Sequence, residues 1–485
     1  MYCKLISLRY NKCRQNEEKY RKDVTVRGRN SYERIIVMER DMTVGNPGKI
    51  IWNFTLPIFV GNIFQQFYSM VDTVIVGKFV GTKALAAVGS TGTINFLILG
   101  FLMGMTAGFT VLTSQRFGAG DINGMRKTVG SAAILSAAVS ILMTVVSMVF
   151  MKPLMILMKT PADIFDDAYA YIMIICAGIV AQVLYNILAG ILRALGNSKT
   201  PLYFLVFSAL LNIVLDLVLI IVFHLGAPGA AYATVISQGV SGILCLVYII
   251  RKVPLLKLSK TDFKPDFRLL RMQLAIGFPM ALQFSITAIG TMMVQTALNA
   301  LGSIHVAAFT AANKIEQIIS QMYVALGTTM ATYSAQNMGA GKVMRIRKGF
   351  RSATVISFTY SLIFGIVTFF WGHHLTGLFV SENLDSVVGL VNIYLQCVTI
   401  FFIPLAVVNI YRNGIQGMGF GLMPMMAGVA ELIGRGVVAV IASRRQSYLG
   451  ICLASPVAWI LAGGLLLVMY WYIIKLLQKK LGKDM

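Results

Sequence analysis

The chain is poor in charge, and poorest in acids. Only 13% of its 485 residues are charged, and 19 Asp and Glu stand against 42 Lys and Arg. Soluble domains carry about 25% charged residues. With 57% hydrophobic residues and a mean hydropathy of +0.75, no soluble core is large enough to hide the apolar side chains. Lipid must be the solvent. Motifs for other chemistry are missing as well. There is no GxxxxGK[ST] phosphate loop, so the chain does not hydrolyse ATP itself. There is no HExxH, no GxSxG and no nucleophile–base cluster, which argues against an enzyme. The six cysteines form no CxxC or Cys/His group. Cys176, Cys245, Cys397 and Cys452 lie in apolar runs, and Cys3 and Cys13 near the start, so neither disulfides nor structural zinc are expected. No signal peptide opens the sequence. Residues 1–49 are polar and basic, and read as a cytoplasmic tail or as sequence upstream of a start at Met38 or Met42.

What is present is a series of long apolar runs. Crossing the hydrocarbon takes about 20 residues. Twelve runs suffice: 50–76, 84–113, 128–151, 165–192, 201–222, 228–250, 272–299, 305–333, 351–371, 387–411, 422–441 and 448–474. The net charge of +23 does not point to nucleic acid, because the basic residues sit in short segments between these runs. Alternate loops hold most of them: Arg116 to Lys127, Arg193 and Lys199, seven between Arg251 and Arg271, five between Lys342 and Arg351, Arg412, and the tail from Lys475. The richer side faces the cytoplasm. Both termini are then inside, in a cell (inner or plasma) membrane. Arg444 and Arg445 fit this pattern badly.

The segment 251–271 divides the runs into two sets of six. The sets are related. Leu85-Ala86-Ala87-Val88 after Gly81 matches Val306-Ala307-Ala308-Phe309 after Gly302, and Gln115 to Gly120 matches Gln336 to Gly341, both at an offset of 221. Pro57 matches Pro279 one residue further on, and Gly196 and Pro201 match Gly419 and Pro424 at an offset of 223. The fold class is therefore an all-α membrane protein, with twelve transmembrane helices in two pseudo-twofold-related six-helix lobes. The expected parts are a tail to residue 49, a lobe over 50–250, a cytoplasmic linker over 251–271, a lobe over 272–474 and a tail from 475. Six spans per copy give both copies one orientation, the parallel-repeat layout of secondary transporters.

Charges inside spans are the informative residues, since each costs about 2.5–3.5 kcal/mol at a helix centre. Asp72 is the first. Gln65, Tyr68 and Asp72 follow an i, i+3, i+7 pattern and share one face. Pro57 lies lower in that helix and permits bending. The bland alternative puts Asp72 at the outer headgroup boundary. Asn212 and Asp216 are i, i+4 on the fifth span. Thr234 lies early in the sixth. All four oxygen-bearing side chains fall at one depth of the first lobe. Such oxygens suit a hard cation such as sodium. The two carboxyls could instead share a proton, or the group could be a packing network alone. In the second lobe, Glu431 and Arg435 are i, i+4 and should neutralise each other. Glu316 cannot face Lys314 at i, i+2, so it needs another partner or a wet cavity. Glu316 and Glu431 join Gln65 and Tyr68 as candidate cavity or substrate residues. His224 and His305 read as interfacial, and His373-His374 as an outer loop. Met (27) and the aromatics (28 Phe, 19 Tyr, 4 Trp) would suit flat organic cations where they line a cavity.

These segments together resemble the multidrug and toxic compound extrusion (MATE) family of secondary transporters. The resemblance is carried by Leu56-Pro57, Met70-Val71-Asp72-Thr73 with Val76-Gly77, Leu85 to Gly89, Gln115 to Asp121, Arg193 to Asn197 with Pro201, and Asn212 to Asp216, over about residues 45–475. It implies a transporter that exports organic cations in exchange for sodium or protons, with no other cofactor and no nucleic-acid partner, as a monomer in the lipid membrane. In the branch it looks most like, a first-helix aspartate, a fifth-helix Asn-x-x-x-Asp and a sixth-helix threonine form a cation site. Asp72, Asn212, Asp216 and Thr234 fall on those positions, and Tyr68 on an associated one. Another branch carries acids in helices seven and ten. Here 283–287 and 404–409 hold none, so a second-lobe cation site of that kind is not expected. A lipid-linked precursor flippase of related architecture is the alternative. Its anionic cargo would call for several mid-span cations, and only Lys314 and Arg435 stand out.

Overall fold

The computed structural model describes residues 41–158, 160–376 and 384–481. The proposed start at Met38, Cys3 and Cys13 lie outside the described residues, as does the end of the C-terminal tail. Everything regular within the described residues is helical: α1 Pro47–Phe79, α2 Thr82–Gly118, α3 Ile122–Leu157, α4 Phe165–Ala177, α5 Ile179–Ala194, α6 Lys199–Leu217, α7 Ala227–Lys252, α8 Phe267–Asn299, α9 Ser303–Gly339, α10 Val343–Thr376, α11 Leu384–Ile400, α12 Phe402–Gly417, α13 Leu422–Arg444, α14 Tyr448–Cys452 and α15 Ala454–Leu481, with short π or 3-10 turns between some of them.

Each apolar run of the sequence lies on one of these helices or on a broken pair. Among the described residues, eight spans are long and apolar enough to cross a membrane singly. Two more do so as bent pairs, α4 with α5 at 46° and α11 with α12 at 51°. Helices α1 and α9 are as long but more polar, because they carry Asn62, Gln65, Gln66 and Asp72, and Asn313, Lys314, Glu316 and Gln317. Long helices that sacrifice apolarity in lipid need a polar surface to face.

The duplication is written into the backbone. Gly81 and Gly302 precede α2 and α9 with φ of 114° and 96°. Gly120 and Gly341 end those helices, both at φ 69°. Gly196 and Gly419 follow α5 and α12 at 84° and 95°. Even the two non-glycine residues in the left-handed region among the described residues, His224 (52°) and Gln446 (50°), are matched between the halves. The helix breaks correspond too, Gly178 to Phe401.

The chain forms two compact units, one built on Val60–Ala281 and one on Thr43–Phe59 with the residues from Leu282 on. Each changeover falls two residues past the proline inside the helix, Pro57 in α1 and Pro279 in α8. In the first unit α2 meets the start of α8 at very close range. A Cβ added to Gly108 would lie 2.3 Å from the Gly277 Cα, and one on Gly104 would lie 2.6 Å from the Ala281 Cα. The buried Gln273 amide donates to the carbonyls of Phe109 (3.2 Å) and Thr128 (2.8 Å). The stretch between α7 and α8 is docked on α3: Arg126 Nε donates to the Leu255 carbonyl at 2.9 Å, and a Cβ on Gly130 would strike the Asp262 carbonyl at 2.1 Å. In the second unit the hydroxyls of Thr55 and Thr329 are 2.8 Å apart. Lys342 holds the turn entering α1, donating to the Thr43 carbonyl at 3.0 Å.

Two sequence expectations are corrected here. Arg412 is not a cytoplasmic loop residue, because α12 continues through it and buries it. Residues 373 and 374 belong to the helical backbone of α10 rather than to a loop.

Candidate functional site

The first unit gathers polar side chains from four helices. α1 supplies Gln65, Tyr68 and Asp72, α6 supplies Asn212 and Asp216, α7 supplies Gln238, and α4 supplies Tyr171. The helical period puts Asn212 and Asp216 on one face, and both are buried, at 2% and 0% exposure. α6 ends one residue past Asp216, and a π-helical turn over Val218–Val222 follows. Such turns recur at functional sites because they re-aim the backbone.

The Asp72 and Asp216 carboxyls lie close enough for each to feel the other's charge. An ionised carboxylate can only accept. Asp72 Oδ1 and both Asp216 oxygens are buried, and no protein donor meets them among the described residues. Both amide atoms of Asn212 and the Oε1 of Gln238 are likewise unmatched. Tyr68 lies beside Gln65 and Gln238, and its hydroxyl and that of the buried Tyr171 stand close enough to feel both carboxyl charges. Buried polar atoms without partners are costly. A shared proton, an ordered water or a hard cation could each satisfy such atoms. Among the described residues no cluster of three His, Cys, Asp or Glu exists to hold a transition metal.

Of the residues singled out in the sequence, Gln65, Tyr68, Asp72, Asn212 and Asp216 come together. Thr234 is half-buried one turn before Gln238, and among the described residues its hydroxyl bonds to neither aspartate. Gln238, one turn further along α7, lies beside Tyr68. A buried amide inside an apolar run was the available signal. Tyr171 carried no signal, being one aromatic among many.

Glu316 and Glu431 lie in the second unit, apart from this group. Glu431 does pair with Arg435, at 2.8 Å, and also with Arg412, at 2.6 Å. Both of its oxygens are thereby occupied, which leaves it a structural anchor. Glu316 accepts a hydrogen bond from the Tyr394 hydroxyl. It lines a cavity of about 310 Å³ that also has Lys314, Arg435 and Trp459 in its wall.

Duplicated helical halves with matched helix breaks are the layout of secondary membrane transporters rather than of enzymes. The profile of the MatE family matches residues 57–218 and 276–441. The chain belongs to the MATE family. It is 32% identical over 375 residues to the probable multidrug resistance protein YpnP of Bacillus subtilis, covering 77% of this chain and 83% of that protein. It is 24% identical over 428 residues to the FAD transporter of Shewanella oneidensis, covering 86% and 92%. Among solved structures, the outward-facing form of a multidrug resistance MATE family transporter of the MOP superfamily matches with a TM-score of 0.85 at 22% identity, over 90% of this chain and 98% of that one. That likeness establishes the twelve-helix, two-lobe fold.

Proposed function

We propose that this transporter is a cation-coupled antiporter that expels organic cations across the cell membrane, with sodium or protons as the driving ion. The family consists of ion-coupled antiporters, and the relatives named for multidrug resistance support a drug-like cargo. The observation that carries the reading is the facing pair Asp72 and Asp216, with three buried oxygens that no protein donor meets. Asn212, Gln238 and Tyr68 would complete the oxygen shell around the ion.

The energies fit the role. Moving a two-state equilibrium from 1:99 to 99:1 takes about 5.5 kcal/mol of differential binding. Neutralising two buried carboxylates contributes toward that difference. Ion entry from outside then favours the conformer that releases drug, and drug binding from inside favours the conformer that releases the ion. In this reading 50–250 and 272–474 act as the two lobes, the basic segment 251–271 lies in the cytoplasm with both termini, and the working unit is the monomer.

The experiment is ethidium efflux from vesicles carrying Asp72→Asn or Asp216→Asn protein, with a sodium or a proton gradient imposed separately. Both variants should insert normally and lose gradient-driven efflux. Normal efflux by both removes the assigned site. The gradient that drives the wild type names the ion.

A further inference from the structure

We propose that one extra residue in α6 is the positioning element of the ion site, resting here on the antiport reading. Where the helix absorbs that residue decides whether Asp216 or Leu217 faces Asp72.

The extra residue shows in the register of the two halves. α6 and α13 begin at Lys199 and Leu422, an offset of 223, and Pro201 and Pro424 keep it. Past Asp216 the offset falls to 222. The left-handed residues His224 and Gln446 differ by that amount. So do Ile220 and Ala442, each of which packs on a glycine that is the third residue of the next helix. A Cβ on Gly229 would lie 3.2 Å from Ile220 Cγ1, and one on Gly450 would lie 2.8 Å from Ala442 Cβ. The first unit therefore holds one residue more than the second between Asp216 and Ile220. The π turn Val218–Val222 begins there, and the Phe223 N–H donates to the Val218 carbonyl at 3.1 Å. α13 lacks the extra residue and stays α-helical through the same stretch.

The place of absorption matters because α6 with its π turn is pinned to α7 at both ends. On the inner side the hydroxyl of Ser208 donates to the Ser237 carbonyl and that of Ser241 to the Phe204 carbonyl, both at 2.8 Å. On the outer side Ile220, buried at 4% exposure, seats against Gly229. One residue turns an α-helix by about 100° and advances it about 1.5 Å. Absorbed after Asp216, as in the structure, the extra residue leaves Asp216 in the α-helical register of Asn212. Absorbed before it, between the same pins, it puts Leu217 in the place of Asp216 and turns the carboxyl about 100° away. Each register keeps one π turn and both pins. A bound ion favours the register that gives it two carboxylates, and its departure frees the other. α13 has one register only, and Ala439 stands there in place of Asp216.

The test removes single residues on either side of Asp216 in the full-length protein, and reads ion binding apart from transport. Deleting Val218 takes out the extra residue beyond Asp216 and fixes the present register. Equilibrium uptake of radiolabelled sodium, or of protons after a pH jump, should stay near the wild-type level, while gradient-driven ethidium efflux falls to background. Deleting Val214 takes it out before Asp216 and fixes the other register. Ion affinity should then drop about tenfold or more, as for a lost charged ligand, and adding Leu217→Asp to that deletion should restore it. Should a deletion variant fail to fold, a chain of unchanged length decides. Asp216→Asn/Leu217→Asp should take up the ion where Asp216→Asn alone does not. The proposal is overturned if both deletions lower ion uptake equally, if deleting Val218 leaves efflux intact, or if Leu217→Asp restores nothing in either setting. Undiminished ion uptake by Asp72→Asn/Asp216→Asn would instead remove the antiport site itself.

Discussion

In the first unit Asp216 faces Asp72 across α6 and α1, and three of their oxygens have no protein donor among the described residues. In the second unit the corresponding positions are Ala439 and Val294, and the buried acid has moved to Glu431, clamped between Arg412 and Arg435. One duplicated scaffold thus carries two solutions to buried charge. The second half brings its own cations, two guanidiniums to one carboxylate. The first half brings no cation of its own to its carboxyl pair among the described residues, and on the proposed function an incoming ion neutralises them. A permanently paired charge anchors helices but cannot report an ion. An incomplete one can, because its energy changes when the ion arrives.

The two halves also differ where the helix exchanged at the proline packs home. α2 and α8 meet in the first unit through Gly108 and Gly277, backbone against backbone. At the equivalent crossing in the second unit, Thr55 and Thr329 meet through a 2.8 Å hydrogen bond. Small residues let helices approach in lipid, and hydroxyls bind them by a different means.

Matched substitutions sharpen this comparison. The largest effect should come from the carboxyl positions. Asp72→Asn or Asp216→Asn should bring ion-driven efflux down to background, while Val294→Asn and Ala439→Asn leave the dependence on the driving ion as it was. Gradient-driven efflux in vesicles measures both. If the second-unit pair also abolishes ion dependence, the asymmetry is lost. Next is the ion-pair network. Glu431→Ala strands two buried guanidinium groups and should destabilise the protein by about 3–5 kcal/mol, read as a lower melting temperature in detergent. Its counterpart Ser208→Ala removes one bond to the Ser237 carbonyl, worth about 1 kcal/mol. At the helix crossing, Gly108→Ala drives a methyl into the Gly277 backbone and should cost about 1–3 kcal/mol. Thr329→Ala loses a single hydrogen bond and should cost about 1 kcal/mol. Equal losses at these two positions would show that the crossings are held in the same way.

Much of this was legible in the sequence, for identifiable reasons. A span needs a long apolar run, so twelve runs announce twelve spans whatever packs against them. Asp72 and Asp216 stand out because carboxylates are rare in such runs, and Asn212 because it is i, i+4 from Asp216. The duplication was visible through glycines such as Gly120 and Gly341, whose positive φ restricts what can replace them. Other features depend on long-range contact and leave no local mark. The breaks at Gly178 and Phe401 interrupt runs that read as continuous. Arg412 looks like a loop residue because it follows an apolar run, and only Glu431 on a different helix explains its burial. Tyr171 and Gln238 join the carboxyl pair from helices distant in sequence. The changeover of units past Pro57 and Pro279 cannot be inferred from a proline, which signals a bend but not which neighbour each half meets.

The most direct test counts ions. Purified wild-type protein and the Asp72→Asn/Asp216→Asn double variant would be compared by radiolabelled sodium binding and by proton uptake after a pH jump. The account predicts saturable uptake of one of these ions by the wild type and its loss in the double variant. Undiminished uptake by the double variant would contradict it.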